Sequence, residues 1–347
     1  MAQGVRLYAG TDHGVSIYRP SGQAWEAVGQ LDATPAARTI RGSVRHPERV
    51  FVALHRDGLY RTEDAGAHWA KVFEGQVRSI AFDPIDDDVV YVGTEPIQLF
   101  RSDDRGEHWT ELPGLGNFLA EIKARWWFPT EPHIGHVLNI HINPLDPRLI
   151  YLCLEHGGIV RSLDRGETWE DVSSGIDYLD IHMLQSLPGR LDRYYAATAR
   201  GFYTSDDPAD GWVRAENGFS RDYFHDFAFL PPDREGDQPT MLIATADGSP
   251  GHWNRPEGAR AAMFRSLDCG DSWHRVGAGL PESLEDNVWA VTLDPRGMDN
   301  AFIGLGSAFA VSGSRPGAVL STTDRGESWQ PLDIQVPAVR TLWAVGE

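Results

Sequence analysis

The sequence predicts an all-β protein, a seven-bladed β-propeller forming one domain over residues 1–347. Three observations carry this prediction. An octapeptide of the pattern Ser/Thr-x-Asp-x-Gly-x-x-Trp recurs in five full copies, at 62–69, 102–109, 162–169, 266–273 and 322–329. Two degraded copies stand at 18–25 and 205–212, and the tryptophans that end all seven are 40 to 61 residues apart, a blade's length. The third observation concerns the ends: 338–345 reads as a strand with no successor, and 5–28 lacks the strand that should precede it.

Each octapeptide has the chemistry of a tight turn between strands. Its hydroxyl and carboxylate suit hydrogen bonds from nearby backbone N–H groups. Its Gly tolerates positive φ, and its Trp brings a large apolar face into the next strand. Ala209 replaces the Gly in one degraded copy, and the other keeps only Gly22 and Trp25.

A blade needs four antiparallel strands, the first at the central channel. Residues 77–112 show the order most plainly: 77–84 is the channel strand and its exit, 89–94 the second strand, 99–101 the third, and the Trp109 octapeptide leads into the fourth. The same order fits 37–72, 135–172, 180–215, 224–276 and 287–332. Residues 338–345 complete the blade begun by 5–28 and so remove the free sheet edges.

Three connections exceed what the blades need: 113–134, 247–260 and 306–317. All three join a fourth strand to the next first strand, or a second to a third, so they share one face. Extra length on one face is where repeat proteins place binding.

Channel strands aligned on their Asp-Pro or Leu-Pro exits put Arg340, Arg41, Arg78, Leu138, His182, His225 and Trp289 at one level, blade by blade. Three guanidiniums at one opening suit bidentate recognition of a carboxylate or phosphate. Pairing of each Arg with a neighbouring Asp or Glu is the structural alternative. His141, His182 and His225 suit either one divalent metal ion or acid/base work near neutral pH, or serve only as hydrogen bonders. His136 and Trp253 join the expected ligand contacts, and Glu155 beside His156 offers a carboxylate. The octapeptide tryptophans belong to the core.

The net charge of −19 and a pI of about 5.0 argue against nucleic acid or an anionic membrane as partner. The chain shows no long apolar span and no leader-like start, and its two cysteines, Cys153 and Cys269, fall in different repeats. These features fit a cytoplasmic protein with reduced thiols.

The octapeptide resembles the Asp box, or BNR repeat, of sialidase-like and sortilin-like propellers, and the resemblance covers nearly the whole chain. It implies the propeller fold and says little about activity, because such turns lie far from the active site in that family. The family's enzymes use an Arg triad with a Tyr–Glu pair. Arg41, Arg78 and Arg340 resemble the triad, but no Tyr–Glu pair is identifiable, and Tyr18-Arg19-Pro20 is out of register with the family's early motif. The sequence therefore points to a site for a small anionic, carboxylated or sugar-like molecule at the channel mouth. A glycosidase-like hydrolase or lyase step would use His141, His182 and His225. The alternative is a non-catalytic scaffold that binds a protein.

Overall fold

A computed structural model describes residues 4–33, 35–118, 120–232, 234, 236–308 and 315–347; part of the 306–317 insertion thus lies outside the described residues. The strands form seven four-stranded antiparallel sheets, each starting at the channel and stepping outward in chain order. The exception is the first sheet, whose channel strand is the C-terminal Val339–Gly346. It pairs with Val5–Thr11 from Val5↔Gly346 to Thr11↔Val339, so the tail completes the head's blade as predicted. Arg6 and Glu347 form an ion pair beside this ladder, and the Tyr18 hydroxyl donates to the Gln335 carbonyl at 3.0 Å.

The second strands are where the core sits. Val50–Leu54, Ile150–Leu154, Tyr194–Thr198, Thr240–Ala246 and Ala301–Gly306 are buried along their whole length. Each lies between two neighbouring blades, which is why these runs are apolar on both faces rather than alternating. The outermost strands face solvent, and four of them are only two residues long, although that of the first blade, Ala24–Asp32, has nine.

The octapeptides form the turns between third and fourth strands. In the copy at 102–109, Ser102 Oγ accepts the Gly106 N–H at 2.7 Å, and Asp104 Oδ1 accepts the His108 N–H at 2.9 Å. Gly106 has φ +83°, and the residue before it, Arg105, is also left-handed at φ 65°. Trp212, Trp273 and Trp329 are buried, and the other four octapeptide tryptophans are half-buried against neighbouring blades. An arginine just before several turns clips to the next blade's turn, as Arg61 does to the Arg105 carbonyl and Arg161 to Asp207.

Every channel strand carries one irregularity of register at the same level. Pairing skips one residue between Ala37 and Thr39, Val77 and Ser79, Val137 and Asn139, Ile181 and Met183, and Val288 and Ala290. Gly10/Thr11 and the Phe224/Phe227 interval complete the ring. A bulge of this kind leaves an extra residue unpaired and re-aims its side chain. The seven re-aimed residues are Arg340, Arg38, Arg78, Leu138, His182, His225 and Trp289.

This corrects the sequence alignment in one blade: Arg38, not Arg41, is the counterpart of Arg78. The exit of the second blade is Ser43-Val44-Arg45-His46-Pro47, and its Pro stands later than Pro84 does in the third. Ser43 plays the part of Asp83, each accepting a backbone N–H from the turn that follows. Arg38 and Arg78 both precede that turn residue by five positions.

Candidate functional site

The seven bulge residues surround a cavity of about 400 Å³ at the channel mouth and cap a second of about 520 Å³ within the channel. Their surroundings divide the ring into three parts.

The first part is cationic. Arg340 clasps Asp12, with Nε and Nη2 at 2.7 and 2.8 Å from the two carboxylate oxygens. It also donates to the Ser307 carbonyl, and its guanidinium lies 5.7 Å from the Trp289 ring centre. Arg38 donates to His55 Nδ1 from Nε at 3.1 Å and from Nη2 at 2.9 Å. Burial, then the charges of Arg38 and Arg78, push His55 down to about 4, so it is a neutral acceptor. The Arg38 guanidinium is itself pushed down to about 9, by burial first and then by Arg78. Positive charge is therefore crowded on this side.

The second part couples that charge to carboxylates. Arg78 Nη2 lies 2.8 Å from His136 Nε2 and 3.5 Å from Glu155 Oε2, and Nη1 lies 3.6 Å from Glu95 Oε2. His136 Nε2 also contacts Glu155 Oε2 directly. Burial works against a charged Glu155, but His136, Arg78 and His182 more than offset it and hold the carboxyl well below the usual range. Phe128, from the 113–134 insertion, packs over His136 and His156 with ring centres 5.2 and 5.4 Å away.

The third part is imidazole and aromatic. His182 Nδ1 donates to the Phe224 carbonyl at 2.6 Å, and its Nε2 lies 3.5 Å from Asp180 Oδ1. Burial disfavours its charge, yet Asp180 and the Phe224 carbonyl raise its pKa overall. His225, 5.3 Å from His182 ring to ring, is pushed down to about 3 by burial and by His182. The Trp289 indole donates to the Gly306 carbonyl at 2.8 Å and stands edge-on to His225.

Of the residues named from sequence, the structure brings Arg78, Arg340, His136, His182, His225 and Trp289 to one cavity. Arg41 and His141 line the channel below it. Arg41 donates to the Ile40 carbonyl at 2.8 Å, and His141 Nε2 lies 3.0 Å from Ser186 Oγ. His141 thus does not share a level with His182 and His225. Trp253 is 5% exposed and packs behind the wall, against Tyr223 and Trp289. Among the described residues, the three side chains whose metal-ligating atoms lie within 4.8 Å of one another are Glu155, His156 and Asp180. Arg38, Glu95 and Asp180 escaped the sequence reading. Arg38 was legible from the five-residue offset to the turn, whereas Glu95 ends the second strand Val90–Glu95 and Asp180 precedes a channel strand, positions that the channel-strand alignment did not include.

No family model matches the chain, and no curated protein matches it. Solved structures do. The GH74 enzyme of Niastella koreensis superposes with a TM-score of 0.65 at 15% identity, over 93% of this chain and 46% of its own. The GH74 xyloglucanase of Xanthomonas campestris gives a TM-score of 0.62 at 17% identity, over 94% and 47%. YCF48 bound to D1 peptide gives 0.57 at 17% identity, over 91% and 87%. The chain spans about half the length of the GH74 enzymes it matches. At these identities the likeness is one of fold. It defines a seven-bladed β-propeller whose structural neighbours include both glycoside hydrolases and the YCF48 propellers.

Proposed function

We propose that the channel mouth binds a small anionic molecule, a carboxylate of sugar-acid size, between the arginine side and the imidazole side of the ring. The observation that carries this reading is the set of seven aligned bulges. They turn Arg340, Arg38, Arg78, His182, His225 and Trp289 onto one cavity, at the cost of a ladder pairing in every blade. An anion beside Arg38 and Arg78 would offset the burial and the Arg78 charge that together lower the Arg38 pKa. Trp289 offers an apolar face, and His182, oriented by the Phe224 carbonyl and Asp180, is the group placed for proton transfer. Such a pair would serve a hydrolysis or an elimination next to the bound anion. The octapeptide turns fit the Asp-box reading, and the GH74 likeness is consistent with a sugar-like ligand.

The test is calorimetric titration with glucuronate and succinate, with neutral glucose as control. Both acids should bind and glucose should not. Arg38→Gln should weaken binding about 10–100-fold, the worth of a charge-assisted hydrogen bond. Equal binding of acid and neutral sugar, or an unchanged Kd in Arg38→Gln, would sink the proposal.

A second reading, a non-catalytic face that binds a protein segment, is favoured by two observations. Arg340 is already matched by Asp12, and the YCF48 propeller that superposes over most of both chains was solved with a peptide bound. In that case the carboxylate titrations give no heat.

A further inference from the structure

The cavity wall formed by the fourth and fifth blades holds two groups that the anion reading does not use, Glu155 and His156, beside Asp180, which that reading uses only to orient His182. Glu155 and His156 occupy the turn between Ile150–Leu154 and Gly158–Ser162, where His156 is left-handed at φ 59°. Asp180 immediately precedes the channel strand Ile181–Ser186. One ligating atom from each of the three lies within 4.8 Å of the others, and His156 Nε2 stands 3.3 Å from Asp180 Oδ2.

A second, independent observation concerns Asp180 itself. The residue is 8% exposed, and its Oδ1 is buried with no hydrogen-bond partner. Among the described residues it is the one buried carboxylate oxygen in that condition. Leaving a carboxylate oxygen dry and unpaired is costly, so such a group calls for a missing partner. The adjacent histidine sharpens the point. His182 Nε2 is 3.5 Å from this oxygen but makes no hydrogen bond to it.

We propose that Glu155, His156 and Asp180 bind a divalent transition-metal cation at the wall of the mouth cavity, with His182 orienting Asp180. One imidazole and two carboxylates suit Zn²⁺, Mn²⁺ or Fe²⁺ better than an all-oxygen ion such as Ca²⁺. Two carboxylate charges match the cation, and three protein ligands leave positions open to the cavity. Glu155 is already oriented by His136 and Arg78, the outer contacts that ligating carboxylates keep. The inference goes beyond the anion reading and does not rest on it, because Arg38 has no part in the cluster.

Full-length protein stripped with chelator is dialysed against Zn²⁺ and, separately, Mn²⁺, and bound metal is counted by plasma mass spectrometry. About one ion per chain is expected. Asp180→Asn and His156→Gln, checked for fold by circular dichroism, should weaken binding more than about tenfold, whereas Arg38→Gln should keep the ion. Should both variants fail to fold, Cu²⁺-loaded wild type serves instead: its paramagnetic resonance spectrum should show nitrogen superhyperfine splitting. No ion in wild type, an ion retained by folded Asp180→Asn and His156→Gln, or a Cu²⁺ signal without nitrogen coupling overturns the proposal. Loss of carboxylate binding with metal content intact would defeat the anion reading alone.

Discussion

Ser162 Oγ accepts the Gly166 N–H at 2.8 Å and donates to Asp164 Oδ1 at 2.8 Å, in a turn where the serine is 1% exposed. The two acceptors of this turn are not equivalent. Ser162→Ala strands a buried N–H, which costs about 1–3 kcal/mol. Asp164→Ala removes hydrogen bonds from the exposed Thr168 N–H and hydroxyl, where water substitutes, so about 0.5–1.5 kcal/mol is expected. Urea denaturation of both variants checks the order, and a larger loss in Asp164→Ala would contradict it. The glycine acts through space as well as backbone: at Gly166, with φ +94°, a Cβ would lie 2.8 Å from Leu112 Cδ1. These requirements are local, and local requirements are what a single sequence exposes. The hydroxyl, the carboxylate, the Gly and the Trp were therefore readable, whereas the left-handed Arg105, Ala65 and Arg165 before each Gly carry no residue signature and were not.

At the scale of the element, the channel strand does two jobs: it pairs with the blade and, through its bulge, supplies the cavity. The pairing was readable from apolar runs ending in a turn. The bulge was readable only through the offset from that turn, and it failed in the second blade because Pro47 lies in a longer exit than Pro84. What no offset reveals is depth. His141 sits three positions after Leu138 and so belongs to the wall below the ring, where its Nε2 accepts the Ser186 N–H at 3.2 Å. Burial there pushes it from 6.5 down to about 4. Between those values the unfolded chain binds the proton that folded His141 refuses, so its contribution to stability rises with pH and is complete above 6.5. The stability difference between wild type and His141→Gln should therefore grow from pH 4 to pH 6.5 and then stay level, as followed by thermal unfolding. His55 and His225 act in the same direction. Asp226, raised to about 6 by burial, opposes them, which is why the comparison with the variant is the decisive one rather than the wild-type profile. A difference that is independent of pH would show that His141 is not held neutral.

For the molecule as a whole, the ring has no edge strand at its seam because Val339–Gly346 and Val5–Thr11 share a seven-pair ladder, with the Glu347 N–H donating to the Gly4 carbonyl at 3.0 Å. The seam also supplies the site, since Arg340 lies on the closing strand and its partner Asp12 follows the strand it pairs with. Closure and chemistry thus depend on the same ladder, and two engineered chains distinguish its topology from its contacts. A chain truncated after 337 loses the ladder, bares the second strand of the first blade and the flank of the seventh, and should aggregate rather than fold. A circular permutant that joins 347 to the head and opens at 190–192, an exposed turn of the fifth blade, keeps every blade four-stranded. It should unfold within about 1–2 kcal/mol of wild type in urea, because loop-closure terms change only slowly with loop length. It should also retain the mouth, so that its carboxylate affinity matches that of the natural chain order. A folded truncation would mean that six complete blades close without the seam. A permutant that folds but loses affinity would mean that the mouth needs the fifth-blade turn on the opposite face intact. Neither outcome is compatible with a ring that is held shut by hydrogen-bonded pairing and reads its ligand only at the bulges.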